Sequence, residues 1–233
     1  IIDTNGNTGT IQFAGLVGNS NDLDAITITG NLDLDAAIAN TTSISVSGTS
    51  NLGANVTTSG TQTYTGATTL SGGDRTLTGS TVNFGAAVTG TTSHDLIITG
   101  NLDLDGALTS VVDLSVSGTS NLGANVTTTG TQTYTGAAII SANISLTGGS
   151  QLTFSSTVDS SDTDGTTDSR TLTTTFTETE FDGAVGGTYA LGALDINGAL
   201  DLDAAITNAT SIDVSGTSNL GANVTTSGTQ TYT

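Results

Sequence analysis

The chain predicts an all-β fold, a right-handed parallel β-helix (β-solenoid) with coils of about 18–20 residues. Three observations lead there. The stretch "GTSNLGANVTTSGTQTYT" at 48–65 returns at 118–135 with one Ser-to-Thr change, and again unchanged at 216–233. Apolar residues alternate with polar ones in short runs bounded by Gly or Asn, the signal of half-buried strands. The composition suits strands and turns and is poor helix material: Gly, Thr, Ser, Asn and Asp dominate, and Pro, Cys, Met and Trp are absent.

The repeats set the architecture. Gly48, Gly118 and Gly216 are equivalent, as are Tyr64, Tyr134 and Tyr232, so the steps are 70 and 98 residues. "NLDLDAA" (31–37), "NLDLDGA" (101–107) and "ALDLDAA" (199–205) follow the same steps. Together they make a superperiod of 168 residues, on which "FAGLVG" (13–18) precedes "FDGAVG" (181–186) and residues 1–65 match 169–233. The opening "IIDTNGNTGT" is neither a signal peptide nor a start site. Residues 1–233 are therefore expected to be one continuous solenoid segment, an excerpt of a longer repeat array.

Within the repeat, "TSNLGANVTTSGTQTYTGA" (49–67) and "TTLSGGDRTLTGSTVNFGA" (68–86) are each 19 residues long and each end in Gly-Ala. Coils near that length make the two steps roughly four and five coils. The longer step carries an extra loop near "DSSDTDGTTDS" (159–169).

The strands read in order on the same beat. In "NLDLDAAI" Leu32 and Leu34 share one face, and Asp33 and Asp35 the other. Ile44 and Val46 point together, as do Val82 with Phe84 and Leu96 with Ile98. No 10–15-residue amphipathic helix separates the strands. A sandwich or barrel would close its core, whereas near-verbatim repeats extend a stack in which each coil buries its small apolar face on its neighbours. Parallel crossovers are overwhelmingly right-handed, which sets the expected hand. About twelve coils at ~4.8 Å each would make a rod of roughly 60 Å. Disorder is the rival for a chain rich in Gly, Ser and Thr, but 34% of residues are apolar and regularly placed.

Charge narrows function. The formal net charge is −19, with Arg75 and Arg170 the only Lys or Arg. Nucleic-acid binding needs cations to displace counterions, and anionic membrane surfaces repel such a chain. A polyanion stays soluble and suits divalent cations. No apolar run approaches a membrane span. The absence of Cys leaves no disulfide framework.

The phrases "NVTTTGTQTYTGA", "TLTGSTVNFGAAV" and "FDGAVGGTYALGALDING" resemble the β-strand repeats of giant bacterial surface proteins, similar to filamentous-haemagglutinin-type adhesins. The likeness covers essentially the whole chain. It implies a secreted, cell-surface, right-handed β-helical shaft, with adhesive or matrix roles along it or elsewhere. The secretion domain usual in such adhesins is not visible in this sequence.

Each candidate site also has a plainer reading. In "DSSDTDGTTD", Ser160, Asp162, Asp164, Gly165 and Asp168 fall on positions 1, 3, 5, 6 and 9 of a calcium loop, and Asp159 offers a further carboxylate. Position 12, normally Glu, is Thr171. Asp159, Asp162, Asp164 and Asp168 are thus the candidate metal ligands and calcium the one cofactor suggested. The plain alternative is an Asp/Ser/Gly surface loop. "DTNGNTG" (3–9) is a weaker echo, with Asp3, Asn5 and Asn7 alternating.

The pairs Asp33/Asp35, Asp103/Asp105 and Asp201/Asp203 could do acid/base work, but they lie coils apart and read as a solvated outer face. Glu178 and Glu180 read the same way. His94, Arg75 and Arg170 are the only basic side chains, far apart in sequence, so no catalytic site is expected. His94 is expected at the surface or in a turn. No Cys or His cluster suggests zinc. Thr61, Thr63 and Thr65 share a face opposite Gln62 and Tyr64. An ice-binding array would need such pairs on nearly every coil, and this phrase recurs only every fourth or fifth.

The expectation is a non-catalytic extracellular filament or adhesin shaft for surface attachment or cell–cell contact. The alternative is a self-assembling fibre, sheath or matrix protein. Expected partners are neighbouring copies or repeats of itself, surface glycans, and host or partner cells, without nucleic acid or membrane insertion.

Overall fold

A computed structural model describes residues 2–3, 9–19, 21–90, 93–161 and 168–233. The chain divides into two compact units, Ile1–Leu114 and Ser115–Thr233. Each is a parallel β-solenoid. Among the described residues every paired strand runs parallel to its neighbour, and there is no helix.

Each coil of unit 1 has three sides, and on each side inward residues stack in columns. The Leu32 side runs Ile11, Leu32, Ser50, Thr68, Val88, Leu108. The Val56 side runs Val17, Ile38, Val56, Leu77, Ile98. The Tyr64 side runs Ile28, Val46, Tyr64, Phe84, Leu104. Alternation explains the choice: in Asn31–Leu34 and Gln62–Tyr64 the odd-man residues Asp33 and Thr63 face out, while Leu32, Leu34, Gln62 and Tyr64 are buried. The register pairs Leu32↔Ser50 and Thr68↔Val88 set coils of 18 and 20 residues, so the expected coil length holds.

Unit 2 repeats the plan. The Leu122 side stacks Ser120, Ala138, Val158, Val185, Ile206 and Val224. The Val126 side stacks Val126, Leu146, Thr174, Ile196, Val214 and Tyr232. The Tyr134 side stacks Tyr134, Phe154, Phe181, Leu202 and Leu220. The coil from Val158 to Val185 is the long one, spanning 27 positions, and it holds the Asp-rich loop.

Aromatic rings stack on one another inside the coils. Tyr64 stacks on Phe84 at 5.5 Å between centroids, Tyr134 on Phe154 at 5.1 Å, and Phe154 on Phe181 at 5.5 Å. Such stacks add about 0.5–1.5 kcal/mol each to the area they bury. Between strands the chain turns sharply where coils approach most closely. A Cβ on Gly48 would collide with the carbonyl of Gly30, and one on Gly136 with that of Gly118, so these corners accept only Gly. Side-chain oxygens close the other corners. Asn55, Asn125 and Asn143 each accept the backbone N–H of a residue one coil further on: Thr76 at 3.0 Å, Ser145 at 2.8 Å and Thr171 at 2.9 Å.

Candidate functional site

The outward faces carry the polar chemistry, and the sheet register arranges it in rungs. Asp33 and Asn51 lie in register one coil apart, and Asn51 Nδ2 donates to Asp33 Oδ1 at 2.8 Å. Ser71 Oγ then donates to Asn51 Oδ1 at 2.7 Å. Asn219 meets Asp201 in the same way at 2.8 Å, and Asn83 donates to Asp103 at 2.7 Å. Asp33 and Asp201 thus find the Asn of "SNL" one coil later, while Asp103 meets Asn83 one coil earlier. The Asp pairs are split by this arrangement: Asp33 is part of a rung, while Asp35 sits exposed and accepts from Gln12 Nε2 at 2.7 Å.

Glu178 and Glu180 share Gln151, whose Nε2 lies 3.3 Å from one carboxylate and 3.0 Å from the other; Thr153 also donates to Glu180 at 3.0 Å. Burial pushes the Glu180 carboxyl above its usual range; the Thr153 hydroxyl opposes this, and Asp182, Asp201 and Glu178 add to it. Glu180 and Asp201 are register neighbours, so two carboxylates face each other across adjacent coils.

The basic groups are placed elsewhere. Arg75 is only 6% exposed. Its Nε donates to the carbonyls of Leu52 at 2.8 Å and Ser71 at 3.0 Å, and Nη1 to that of Asp74 at 2.9 Å; Nη2 also reaches Ser71. Desolvation lowers its pKa, partly offset by Asp74. It acts as an internal strut at the corner that "SGGDR" makes. Arg170 pairs with Asp168 at 2.9 Å, and His94 lies 3.5 Å from Asp74.

The calcium-loop candidates divide. Asp162 and Asp164 lie outside the described residues, as do Asn5 and Asn7 of the weaker echo. Asp159 Oδ1 accepts the backbone N–H groups of Thr188 at 2.8 Å and Tyr189 at 3.2 Å. Asp168 Oδ2 takes Arg170 and, at 3.3 Å, the Ser161 hydroxyl. Ser160 is buried, and its Oγ accepts the Arg170 N–H at 2.9 Å. Among the described residues no three His, Cys, Asp or Glu side chains converge as metal ligands.

The "TQTYT" phrase holds the feature the sequence hid. Gln62 and Tyr64 both point inward and are fully buried. Gln62 Nε2 donates to the carbonyls of Thr78 at 2.8 Å and Val56 at 3.1 Å, and Tyr64 Oη donates to Gln62 Oε1 at 3.1 Å. Gln132 and Tyr134 repeat the set, with Nε2 at 3.0 Å from Thr147 O and 3.3 Å from Val126 O, and Oη at 3.1 Å from Oε1. The pairing is a polar clamp between two sides of one coil and the next coil. In the third copy Gln230 still donates to the Val224 carbonyl at 3.2 Å, but Gln230 and Tyr232 are exposed; the recurrence of the Gln-Thr-Tyr phrase in the sequence was the available signal. The outward Thr63 lies in register with Ser45 and Thr27 before it, but the column passes to Asn83 and Asp103 beyond.

No family model, curated protein or solved structure matches this chain. Among the described residues no helix is long and apolar enough to cross a membrane.

Proposed function

We propose that this chain is a non-catalytic structural shaft of an extracellular, filamentous-haemagglutinin-like repeat protein, serving surface attachment or cell–cell contact. The observation that carries the reading is that repetition in the sequence becomes repetition in the coil. The first two copies of the phrase supply the same inward Gln–Tyr clamp, the Gly48 corner returns at Gly216, and the outward Asp33–Asn51 rung returns as Asp201–Asn219. A module built this way extends by adding coils, because each coil needs only its neighbours. Its large side chains are spent on stacking, and its two described arginines on a corner strut and an ion pair.

Electron microscopy of the full-length protein tests this, alongside an assay panel of polysaccharide hydrolase and lyase substrates. Thin rods of fixed length rooted in a cell envelope, with no turnover, are expected. Open-ended fibres with a regular joint would move the function to self-assembly. Turnover that is lost in Glu180→Gln would overturn the non-catalytic reading.

A further inference from the structure

Copies of one motif do not stay on one side of the solenoid. In unit 1, the strand Asn31–Leu34 lies on the Leu32 side, in register with Ser50–Leu52. The same motif 70 residues later places Leu102 and Leu104 on the Tyr64 side, over Val82 and Phe84. In unit 2, "SNL", "VTT" and "QTY" at 120–134 occupy the Leu122, Val126 and Tyr134 sides in turn. At 218–232 the same three occupy the Tyr134, Leu122 and Val126 sides.

We infer that within each unit the sequence step ends one side short of a whole number of coils, so that a motif and its next copy face different sides of that unit instead of lining up along one side. The physical basis is that a side, not a coil, is the unit of packing. Strand plus corner takes six residues in the shortest coils, as in Leu32, Ile38, Ile44 and Ser50. Six is even, so moving a motif by one side keeps inward residues inward. Only its direction around the axis changes. Each side also offers the same kind of neighbour: Leu34 stacks on Leu52 on one side, and Leu104 on Phe84 on another.

The consequence concerns recognition and rests on the shaft reading. Within unit 1 a partner that reads the outward face of the "LDL" motif meets its next copy on a different side, and within unit 2 the same holds for a partner that reads "SNL".

The chain contains no Cys, so paired cysteines introduced into the full chain report register directly. Parallel register neighbours fall within disulfide reach. Asn83→Cys with Asp103→Cys, and Asp213→Cys with Thr231→Cys, are expected to form intramolecular disulfides under mild oxidation. A whole-coil step in unit 1 would instead place position 103 over Thr89. A disulfide in Thr89→Cys/Asp103→Cys would overturn the inference and leave a parallel solenoid standing. Loss of all three, with no β signal in circular dichroism, would overturn the solenoid as well.

Discussion

The Tyr134 hydroxyl donates to Oε1 of Gln132, two residues earlier on the same strand, and neither side chain has any exposed surface. The amide spends its own donors on the Thr147 and Val126 carbonyls. Gln132→Leu keeps the volume but strands the phenol and two carbonyls in the interior. A loss of about 2–3 kcal/mol in urea unfolding is expected. Adding Tyr134→Phe to that variant should cost less than the same change in the native chain, because the phenol is already unpartnered. Equal costs in both backgrounds would show that the bond contributes nothing.

A buried hydroxyl without a partner makes the opposite case. Ser120 is 1% exposed, and its Oγ has no hydrogen-bond partner among the described residues. The next residue in its column is Ala138. Ser120→Ala should leave stability unchanged or raise it by about 1 kcal/mol, since an unsatisfied hydroxyl is removed without opening a sizeable cavity. A clear loss on thermal unfolding would mean that the hydroxyl is satisfied in solution, by water.

These two residues show what the sequence could and could not reveal. Leu32, Leu34, Val82 and Phe84 were legible because strand period and hydrophobicity agree. Gln132 was not, since an inward Gln breaks the alternation that identifies strands; only its place beside Tyr134 in a repeated phrase hinted at a role. In the sequence Arg75 is an isolated cation, yet the Gly72-Gly73 corner lets it fold back onto carbonyls, with Gly72 at φ 77°. The one-side step was hidden for another reason. Coil length depends on corners such as residues 71–74, whose lengths vary without changing the strand pattern. The outward Asp residues were legible as outward, but their rungs depend on an 18-residue register that only the coil supplies.

Glu180 should make stability depend on pH in an unusual direction for a carboxylate. Burial raises its folded pKa, so the folded chain holds the proton more tightly than the unfolded chain does. Stability therefore falls as pH rises from about 4.3, the unfolded value, through the folded one, and the penalty is complete above it. Glu180→Gln keeps an acceptor for Thr153 and Gln151 while removing the charge. Its Tm should exceed that of the native chain at pH 7, with the difference shrinking on acidification and absent below about pH 4. A lower Tm at pH 7 would mean that the charged form is favoured where it sits.

Calcium provides the last test, because the two described carboxylates of the Asp-rich loop are already committed. Asp159 holds two backbone N–H groups, and Asp168 holds Arg170 and Ser161. A calcium ion takes six to eight oxygens at about 2.3–2.6 Å and would have to displace those donors. The pattern also lacks the closing Glu, with Thr171 in its place. Calorimetric titration of the full chain to millimolar calcium is expected to give no binding heat, and chelation no change in Tm. Heat that disappears in Asp162→Asn or Asp164→Asn would show that residues 162–167 bring enough carboxylate to outcompete Arg170. The loop would then be a metal-closed insertion in the shaft.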